Sequence, residues 1–402
     1  MSDLLSARFR RAVAAVEPRT AVAACLASGP WTRSTGRVVV VGAGKASAPM
    51  AQAVEEAFTD RITHGVVVVK YGYTAPLTRI RLHEAAHPVP DEAGLEGARQ
   101  LEAAVTGLGA DDLVVVCLSG GASALLPSPR PPVTLADLRT LTGRLLASGC
   151  DIHQLNTVRK HLSRLSGGRL AAACAPARVL TLVVSDVLGD DLSVIGSGPT
   201  APDPSGDADA LAIVERFAPD APVSVRTALA GGAAWTPNPG DPLFQRVEHV
   251  IVASNAVALR ATGAAVIAPT LEGEAWQAAE SFCAFAAAQP PGTLVAAGGE
   301  TTVTLGDAPG QGGRNQEFAL AAARWLDAHG VDMTVLSGGT DGSDGPTDAA
   351  GGVVDRTTWR RDVAAARHLA GHDAYPLLLR LGCLLSTGPT NTNVMDVALA
   401  IR

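Results

Sequence analysis

Residues 36–58, GRVVVVGAGKASAPMAQAVEEAF, begin with a run of valines, pass through two close glycines and continue at helical spacing. This pattern predicts a strand, a tight turn and a helix. The same order begins again at residues 65–73, 111–126 and 178–191. Because buried β-branched strands that alternate with helices form parallel sheets covered on both faces, we predict a Rossmann-like α/β domain.

The chain of 402 residues is long enough for two domains, each with its own core. Residues 199–242 are rich in Pro, Gly and Asp, which is typical of a linker, and further strand and helix patterns follow them. We therefore predict a two-lobed α/β protein. A Rossmann-like N-terminal domain would span residues 1–235 and a smaller α/β domain residues 236–402, with the active site in the cleft between them.

Composition excludes several classes of protein. A net charge of −7 with scattered basic residues argues against nucleic acid as a partner. No run of about 20 apolar residues occurs, and the six cysteines lie far apart, so we expect reduced core thiols, no membrane span and a cytoplasmic location. The 32 basic residues include only three lysines, Lys45, Lys70 and Lys160, which makes each lysine worth examining.

The first candidate site is the turn that contains Gly44, Lys45 and Ser47. Free backbone N–H groups at a helix start and an ammonium group together suit a phosphate or carboxylate. A dinucleotide fingerprint would need a third glycine at Ser47 and an acidic residue where Lys70 ends the next strand. NAD therefore fits poorly and NADP is disfavoured. A simple turn with a solvated lysine is the alternative.

Two further segments offer groups for anion binding. Ser119, Gly120, Gly121 and Ser123 follow another predicted strand, where hydroxyls and unhindered amides form an anion cradle, although a tight packing turn would have the same glycines. Lys160 lies in a predicted helix on the face opposite an apolar stripe, so it predicts either a solvated face or the edge of a site.

Acidic residues and one arginine complete the candidate groups. Asp186 and Asp190 follow a predicted strand, where carboxylates suit Mg²⁺, although acidic Gly-rich loops are also ordinary turns. Further acidic residues follow strands in the second half of the chain: Glu300, Asp341, Asp344 and Asp348. Arg314 opens a predicted helix, where its planar fork can stabilise a transferring phosphoryl group or simply form a salt bridge.

Nine stretches in order along nearly the whole chain resemble the glycerate 2-kinases of the MOFRL type, some of which carry the older name hydroxypyruvate reductase. They read VVGAGKAS, HPVPDEAG, CLSGGASALL, LNTVRKHLSRLSGGRLA, SDVLGDDLSVIGSGPTAPDP, GGETTVTL, GGRNQEFAL, TDGSDGPTDAAG and TGPTNTNV. The resemblance implies ATP-dependent phosphorylation of D-glycerate to 2-phosphoglycerate with Mg²⁺, and makes Lys45 and Arg314 catalytic. Asn391 and Met395 stand where Gly and Asn are more typical of the family.

These inferences combine into one hypothesis. Lys45 contacts glycerate or the transferring phosphate, Arg314 neutralises charge in the transition state, and Asp186 acts as base or, with Asp190, binds Mg²⁺. The remaining residues expected to bind substrate or phosphate are Gly44, Ser47, Ser119, Gly120, Gly121, Ser123, Lys160 and Asn255. An NAD(P)H-dependent hydroxypyruvate reductase and a non-catalytic sensor of a small phosphorylated acid are the rival functions. Both a monomer and a homodimer remain open.

Overall fold

The computed structural model describes residues 1–31, 36–232, 236–306 and 309–402. The helices are α1 (Ser2–Ala15), α2 (Pro18–Ser28), α3 (Ser47–Phe58), α4 (Glu92–Ala104), α5 (Ala122–Leu125), α6 (Leu135–Ala147), α7 (Ile152–Leu162), α8 (Arg169–Cys174), α9 (Asp207–Phe217), α10 (Val223–Ala230), α11 (Asn255–Thr262), α12 (Ala275–Ala287), α13 (Arg314–His329), α14 (Ala365–Ala370) and α15 (Ala374–Leu381). The strands are β1 (Val38–Ala43), β2 (Ile62–Lys70), β3 (Ile80–Ala85), β4 (Leu113–Leu118), β5 (Arg178–Val184), β6 (Val247–Ala253), β7 (Val266–Ile267), β8 (Leu294–Gly299), β9 (Thr334–Gly339), β10 (Gly351–Asp355), β11 (Leu384–Leu385) and β12 (Asp396–Ile401). No helix among the described residues is long and apolar enough to cross a membrane.

Residues 18–252 form one compact unit around a six-stranded sheet in the order β3-β2-β1-β4-β5-β6. Strands β1 to β5 pair in parallel with their neighbours, which confirms the predicted Rossmann-like sheet. Every residue of β1 and β4 is buried, because helices cover the sheet: α3 packs against β1 and β2, and α4 against β2 and β3. A second core lies among α6, α7, α9 and α10.

Side-chain caps explain where several of these helices begin. Asp91 accepts a hydrogen bond from the backbone N–H of Gly94 at the start of α4. Asp151 and Gln154 form a reciprocal capping box at the start of α7, which satisfies N–H groups that have no partner within the helix. The start of α7 matters because this helix carries Lys160, one of the predicted site residues.

Residues 1–17 and 253–402 form the other compact unit. Its six-stranded sheet has the order β11-β10-β9-β12-β8-β7 and is mixed, since β7 and β8 are parallel and the other neighbouring strands are antiparallel. Helices α12 and α13 pack together, with the Phe282 and Phe318 rings 5.9 Å apart. This second α/β unit confirms the predicted fold class.

The compact units differ from the predicted division at residue 235 in two places. Residues 236–252 stay with the first unit because β6 pairs beside β5 in the parallel sheet. Residues 1–17 join the second unit, because α1 buries Leu5, Phe9 and Ala12 as it packs on α11 and β9. An amphipathic helix needs an apolar surface to cover its stripe, and the sequence does not say which sheet supplies it.

Candidate active site

The predicted anion-binding turns lie at the point where the strand order of the parallel sheet reverses. Lys45 follows β1 and Ser119 follows β4, and these two strands are neighbours. In open parallel sheets, ligands bind outside the carboxyl ends of the strands at this switch point. Lys70 ends β2 and Asp186 is the second residue after β5, so the same edge of the sheet also carries these two residues.

Backbone and serine hydrogen bonds tie the two turns together. The backbone N–H of Lys45 donates to the carbonyl of Gly120 at 2.9 Å, and that of Ser119 donates to Ala43 at 3.1 Å. The buried Ser119 hydroxyl accepts from the backbone N–H of Ala46 at 3.0 Å. Gly44 has φ +137°, and a Cβ there would overlap with Ser119, so only glycine allows this approach.

Ser47 contributes to the turn's structure. Its fully buried hydroxyl donates to the carbonyl of Cys117 at 3.0 Å and lies 3.3 Å from the Ser119 hydroxyl. Ser47 and Ser119, two of the three serines predicted to bind substrate or phosphate, therefore have hydrogen-bond partners inside the protein. What they offer a ligand is the position of the backbone and of Lys45.

Asp186 lies against the glycine loop. A Cβ added at Gly120 would overlap with the Asp186 carboxylate, which places that carboxylate directly beside the loop. Burial raises the pKa of Asp186, and the positive charge of Lys45 opposes this shift. The structure thus brings together Lys45, Gly120 and Asp186, three of the predicted site residues.

Positive charge is concentrated around His87. Its ring lies 2.9 Å from the position that a Cβ at Gly121 would take. Burial, followed by the charges of Lys45, Lys70 and Arg159, lowers the pKa of His87 to about 4. The imidazole is therefore neutral at pH 7 beside three cations, in a chain whose net charge is −7. This edge of the sheet suits an anionic ligand.

Sequence reasoning did not select His87, Lys70 or Arg159 as site residues. Signals for all three were present: His87 opens the HPVPDEAG motif, Lys70 ends a strand, and Arg159 neighbours Lys160 in the LNTVRKHLS motif. Only the fold shows that they converge, since they come from separate segments of the chain.

Ser123 joins a chain of hydrogen bonds. Its hydroxyl lies 2.8 Å from that of Ser197, which in turn donates to the side-chain oxygen of Asn156 at 3.1 Å. Ser197 and Asn156 are buried and Ser123 is half-buried. The chain orients the Ser123 hydroxyl.

Lys160 has a different environment from the one predicted. It is only 6 % exposed, and its ammonium lies 3.5 Å from the carboxylate of Asp203. His161 also lies 3.4 Å from Asp203, whose pKa falls to about 2 although burial opposes the shift, because hydrogen bonds from His161 and Ser205 favour the carboxylate. The predicted open polar face of this helix is thus buried at Lys160, whose charge has a carboxylate partner inside the protein.

The residues predicted to hold Mg²⁺ are Asp186 and Asp190. Among the described residues, no group of three acidic, histidine or cysteine side chains could hold a metal. Magnesium commonly uses only one or two protein carboxylates together with waters and substrate phosphates, so the half-buried carboxylate of Asp186 fits such a role. Asp190 lies in a short 3-10 turn with φ +56°, and no side-chain contact of Asp190 is found in the described part of the chain.

In the second unit, two carboxylates hold Arg314 at the start of α13. Its Nε and Nη2 donate to the two carboxylate oxygens of Asp396 at 2.6 and 3.0 Å, and Nη1 lies 2.9 Å from Glu300. These partners raise the pKa of Arg314 even though burial opposes the shift. The predicted salt bridge at the helix start is present, and it fixes the orientation of the guanidinium.

Asp344 caps the same helix from a neighbouring loop. Its two carboxylate oxygens accept the backbone N–H groups of Asn315 and Gln316 at 3.0 and 2.8 Å. Burial raises the pKa of Asp344 to about 6, while these hydrogen bonds oppose the shift. The Asn315 side chain donates to both Asp344 and Asp396, so the cap and the salt bridge form one network.

Asn255 supports the strand that carries Asp396. Its side-chain nitrogen donates to the carbonyls of Val394 and Asp396, both at 2.9 Å. The amide N–H groups of Asn255 therefore contact the backbone beside Asp396, and its role in binding substrate stays a prediction.

Two family models match the chain. Residues 4–230 match the family described as a domain of unknown function, DUF4147, and residues 293–396 match the MOFRL family. The chain belongs to the DUF4147 family. Its second unit carries the MOFRL segment, which the sequence resemblance implied.

The relatives of this chain are named either as hydroxypyruvate reductases or as glycerate kinases. A protein of Agrobacterium vitis named "Putative hydroxypyruvate reductase" is 45 % identical, covering 97 % of this chain and 92 % of that protein. The "D-glycerate 2-kinase" of Thermotoga maritima is 40 % identical, covering 91 % of this chain and 90 % of that protein. A crystal structure of glycerate kinase from Thermotoga maritima superposes with a TM-score of 0.90 at 36 % identity, covering 100 % of this chain and 99 % of the other.

Proposed function

We propose that the chain catalyses ATP-dependent phosphorylation of D-glycerate at the 2-hydroxyl group. The observation that carries this proposal is the cationic edge of the parallel sheet, where Lys45 and His87 lie beside the glycine loop and the charges of Lys45, Lys70 and Arg159 act on a neutral His87. Both substrates are anions, so this charge favours their binding. The relatives named as glycerate kinases support the same reaction.

Lys45 would stabilise the phosphate oxygens as charge develops on them. The hydrogen bond from its backbone N–H to Gly120 fixes the position of the Lys45 backbone, from which the side chain extends. The oxygen of the substrate's 2-hydroxyl forms a bond to the γ-phosphorus, the bond between that phosphorus and the β,γ-bridging oxygen breaks, and ADP leaves. Phosphoryl transfer needs mainly such positioning and charge stabilisation.

Asp186 would accept the proton of the 2-hydroxyl. Its raised pKa makes it a stronger base than a solvated carboxylate, and its place beside Gly120 puts it next to Lys45. In the alternative role, Asp186 would instead hold Mg²⁺ with Asp190 as a second ligand, and Mg²⁺ when bound would supply charge neutralisation at the nucleotide phosphates. A shift in the Mg²⁺ concentration needed for activity in Asp190→Asn would support its role as a ligand.

Arg314 would balance negative charge on the transferring phosphoryl group. Asp396 binds Nε and Nη2 of Arg314. Nη1, which contacts Glu300, is therefore the nitrogen that would leave its partner and bind a phosphate oxygen. Glu300 is exposed, so breaking that contact costs little compared with breaking the contact to the buried Asp396.

The decisive experiment is phosphorus NMR of the products formed from D-glycerate and ATP. We expect ADP and 2-phosphoglycerate in equal amounts, and no product with ATP alone. A 3-phosphoglycerate signal would keep the reaction class and contradict the regiochemistry. Absence of any phosphorylated acid would contradict the proposal.

The name of the Agrobacterium relative keeps a reductase as the second candidate. Its test is the oxidation of NADH or NADPH by the purified protein with hydroxypyruvate, without coupling enzymes. The buried Ser47, where a dinucleotide fingerprint has glycine, and the cation Lys70, where NAD enzymes have an acidic residue, favour the kinase. Turnover of either nucleotide would reverse that preference.

The location and the assembly state are part of the proposal too. The six cysteines are free thiols, which is typical of a reducing compartment such as the cytoplasm. Light scattering of the purified protein would decide between a monomer and a homodimer.

A further inference from the structure

A pocket in the unit formed by residues 18–252 contains Arg159 together with Ser123 and Ser197. Its cavity volume is about 50 Å³, and the pocket is partly open to solvent. Much of the remaining wall is apolar and includes Pro88 and Leu126. An apolar wall around a few polar groups is typical of small-molecule sites, because it strengthens each polar contact.

Arg159 has no ionic partner in the part of the chain that the structure describes. No hydrogen bond or ion pair of its guanidinium is found in residues 1–31, 36–232, 236–306 and 309–402, whereas Arg164 nearby lies 3.0 Å from Glu102. Burial lowers the pKa of Arg159, so the charged guanidinium carries an unfavourable desolvation free energy in the folded protein. An anion that entered the pocket would remove the cost.

The serines add a second requirement. Ser197 donates its single hydroxyl proton to Asn156, so the 2.8 Å contact with Ser123 must use the Ser123 proton. The Ser123 oxygen is then left with a free lone pair and no proton. It can accept a hydrogen bond from a ligand, and it would repel an unprotonated phosphate or carboxylate oxygen.

We infer that this pocket binds the acceptor acid, with Arg159 on the carboxylate and Ser123 accepting a hydrogen bond from the 3-hydroxyl. This inference rests on the proposed function and names the group that selects its substrate. A hydroxy acid has a hydroxyl donor close to its carboxylate, whereas the triphosphate chain of ATP has anionic oxygens with no donor beside them. The planar guanidinium also matches the two oxygens of a carboxylate.

The pocket lies close to the proposed reacting groups. The charges of Arg159 and Lys45 both lower the pKa of His87. The His87 ring lies beside Gly121, and the Asp186 carboxylate lies beside the preceding residue, Gly120. An acid held by its carboxylate at Arg159 and by its 3-hydroxyl at Ser123 therefore leaves its 2-hydroxyl for the groups at the strand ends.

The test compares Arg159→Met, Arg159→Lys and the control Arg164→Met in the full-length protein. Methionine keeps the length of the side chain and removes its charge. We expect Arg159→Met to raise the KM for D-glycerate by roughly 10- to 100-fold, since a charge-assisted pair is lost, with the KM for ATP unchanged. Arg159→Lys restores the charge without the planar guanidinium, so its KM for D-glycerate is expected to lie between those of the wild type and Arg159→Met. Arg164→Met keeps both KM values.

A second arm tests Ser123 with D-lactate, which keeps the carboxylate and lacks the 3-hydroxyl. Ser123→Ala is expected to weaken the binding of D-glycerate, measured by calorimetry without ATP, and to leave that of D-lactate unchanged. Equal losses for both acids would contradict the assignment of the 3-hydroxyl. Thermal unfolding of each variant checks that the fold is intact.

The outcomes separate this inference from the proposed function. If the wild type phosphorylates D-glycerate and Arg159→Met keeps its KM for the acid, the pocket inference fails and the kinase stands. A rise in the KM for ATP alone would assign the pocket to the nucleotide and overturn the inference. If the wild type does not turn over but binds D-glycerate, and Arg159→Met does not, the pocket stands and the kinase fails.

Discussion

Asp396 accepts two hydrogen bonds from Arg314, at 2.6 Å from Nε and 3.0 Å from Nη2. Asp396 is 2 % exposed, and its side chain also accepts a hydrogen bond from the amide of Asn315. The arginine proposed to act on the phosphoryl group therefore also neutralises a buried carboxylate. Activity and stability are coupled at this residue.

Arg314→Ala is expected to lower kcat by two or more orders of magnitude and the free energy of unfolding by about 1–3 kcal/mol, because Asp396 loses its charged partner. Steady-state kinetics and urea unfolding measure the two effects. Arg324→Ala is the control, since Arg324 lies on the same helix and pairs with Glu280 at a half-exposed position. Wild-type turnover in Arg314→Ala would contradict the assignment.

Lys45→Met is expected to reduce kcat strongly and leave the melting temperature close to that of the wild type. The hydrogen bond to Gly120 uses the backbone N–H of Lys45, so the turn does not depend on the side chain. Lys45→Arg tests whether a point charge is required, because arginine keeps the charge and changes its shape. Full activity in Lys45→Arg would show that any cation suffices.

Lys160→Met is expected to lower stability and to leave substrate binding nearly unchanged, the opposite of Lys45→Met. Removing the ammonium leaves the buried carboxylate of Asp203 without that partner, so the free energy of unfolding is expected to fall by about 3 kcal/mol. The KM values of the folded variant should stay near those of the wild type. A large rise in either KM without loss of stability would restore the role in anion binding that the sequence predicts.

Asp344 should make the stability of the protein depend on pH. Its pKa is about 6 in the folded protein and lies above the ordinary value of 3.8, so the unfolded state releases this proton more readily. Stability contributed by this group is present below the lower pKa and is lost as the pH rises through about 6. The difference in unfolding free energy between the wild type and Asp344→Asn, measured from pH 4 to pH 7.5, should follow this course. A flat difference would contradict the raised pKa.

Asn391 takes the left-handed conformation, with φ +60°, at an exposed position. Glycine, which is more typical of the family there, adopts this conformation without a steric penalty. Asn391→Gly is therefore expected to change the unfolding free energy by only a few tenths of a kcal/mol, and Asn391→Ala to lower it by about 1 kcal/mol. Equal stabilities for the two variants would show that the backbone is not strained.

The valine-rich strands, glycine turns and helical spacing were sufficient to predict the parallel sheet, because burial on both faces requires a continuous apolar strand. The same local signals placed Lys45 and Ser119 at strand ends. They did not show that His87, Lys70 and Arg159 meet beside these turns, since contact between distant segments depends on strand order, and strand order does not follow from local pattern.

The sequence by itself determined the fold class, the family and the residue types available for chemistry. Only the tertiary structure decided which charges have partners: Lys160 has Asp203, Arg314 has Asp396, and Arg159 has no partner among the described residues. Lys160 and Arg159 are neighbours in one helix and point into different surroundings. Because adjacent helical residues face directions about 100° apart, their roles are set by what packs against each direction.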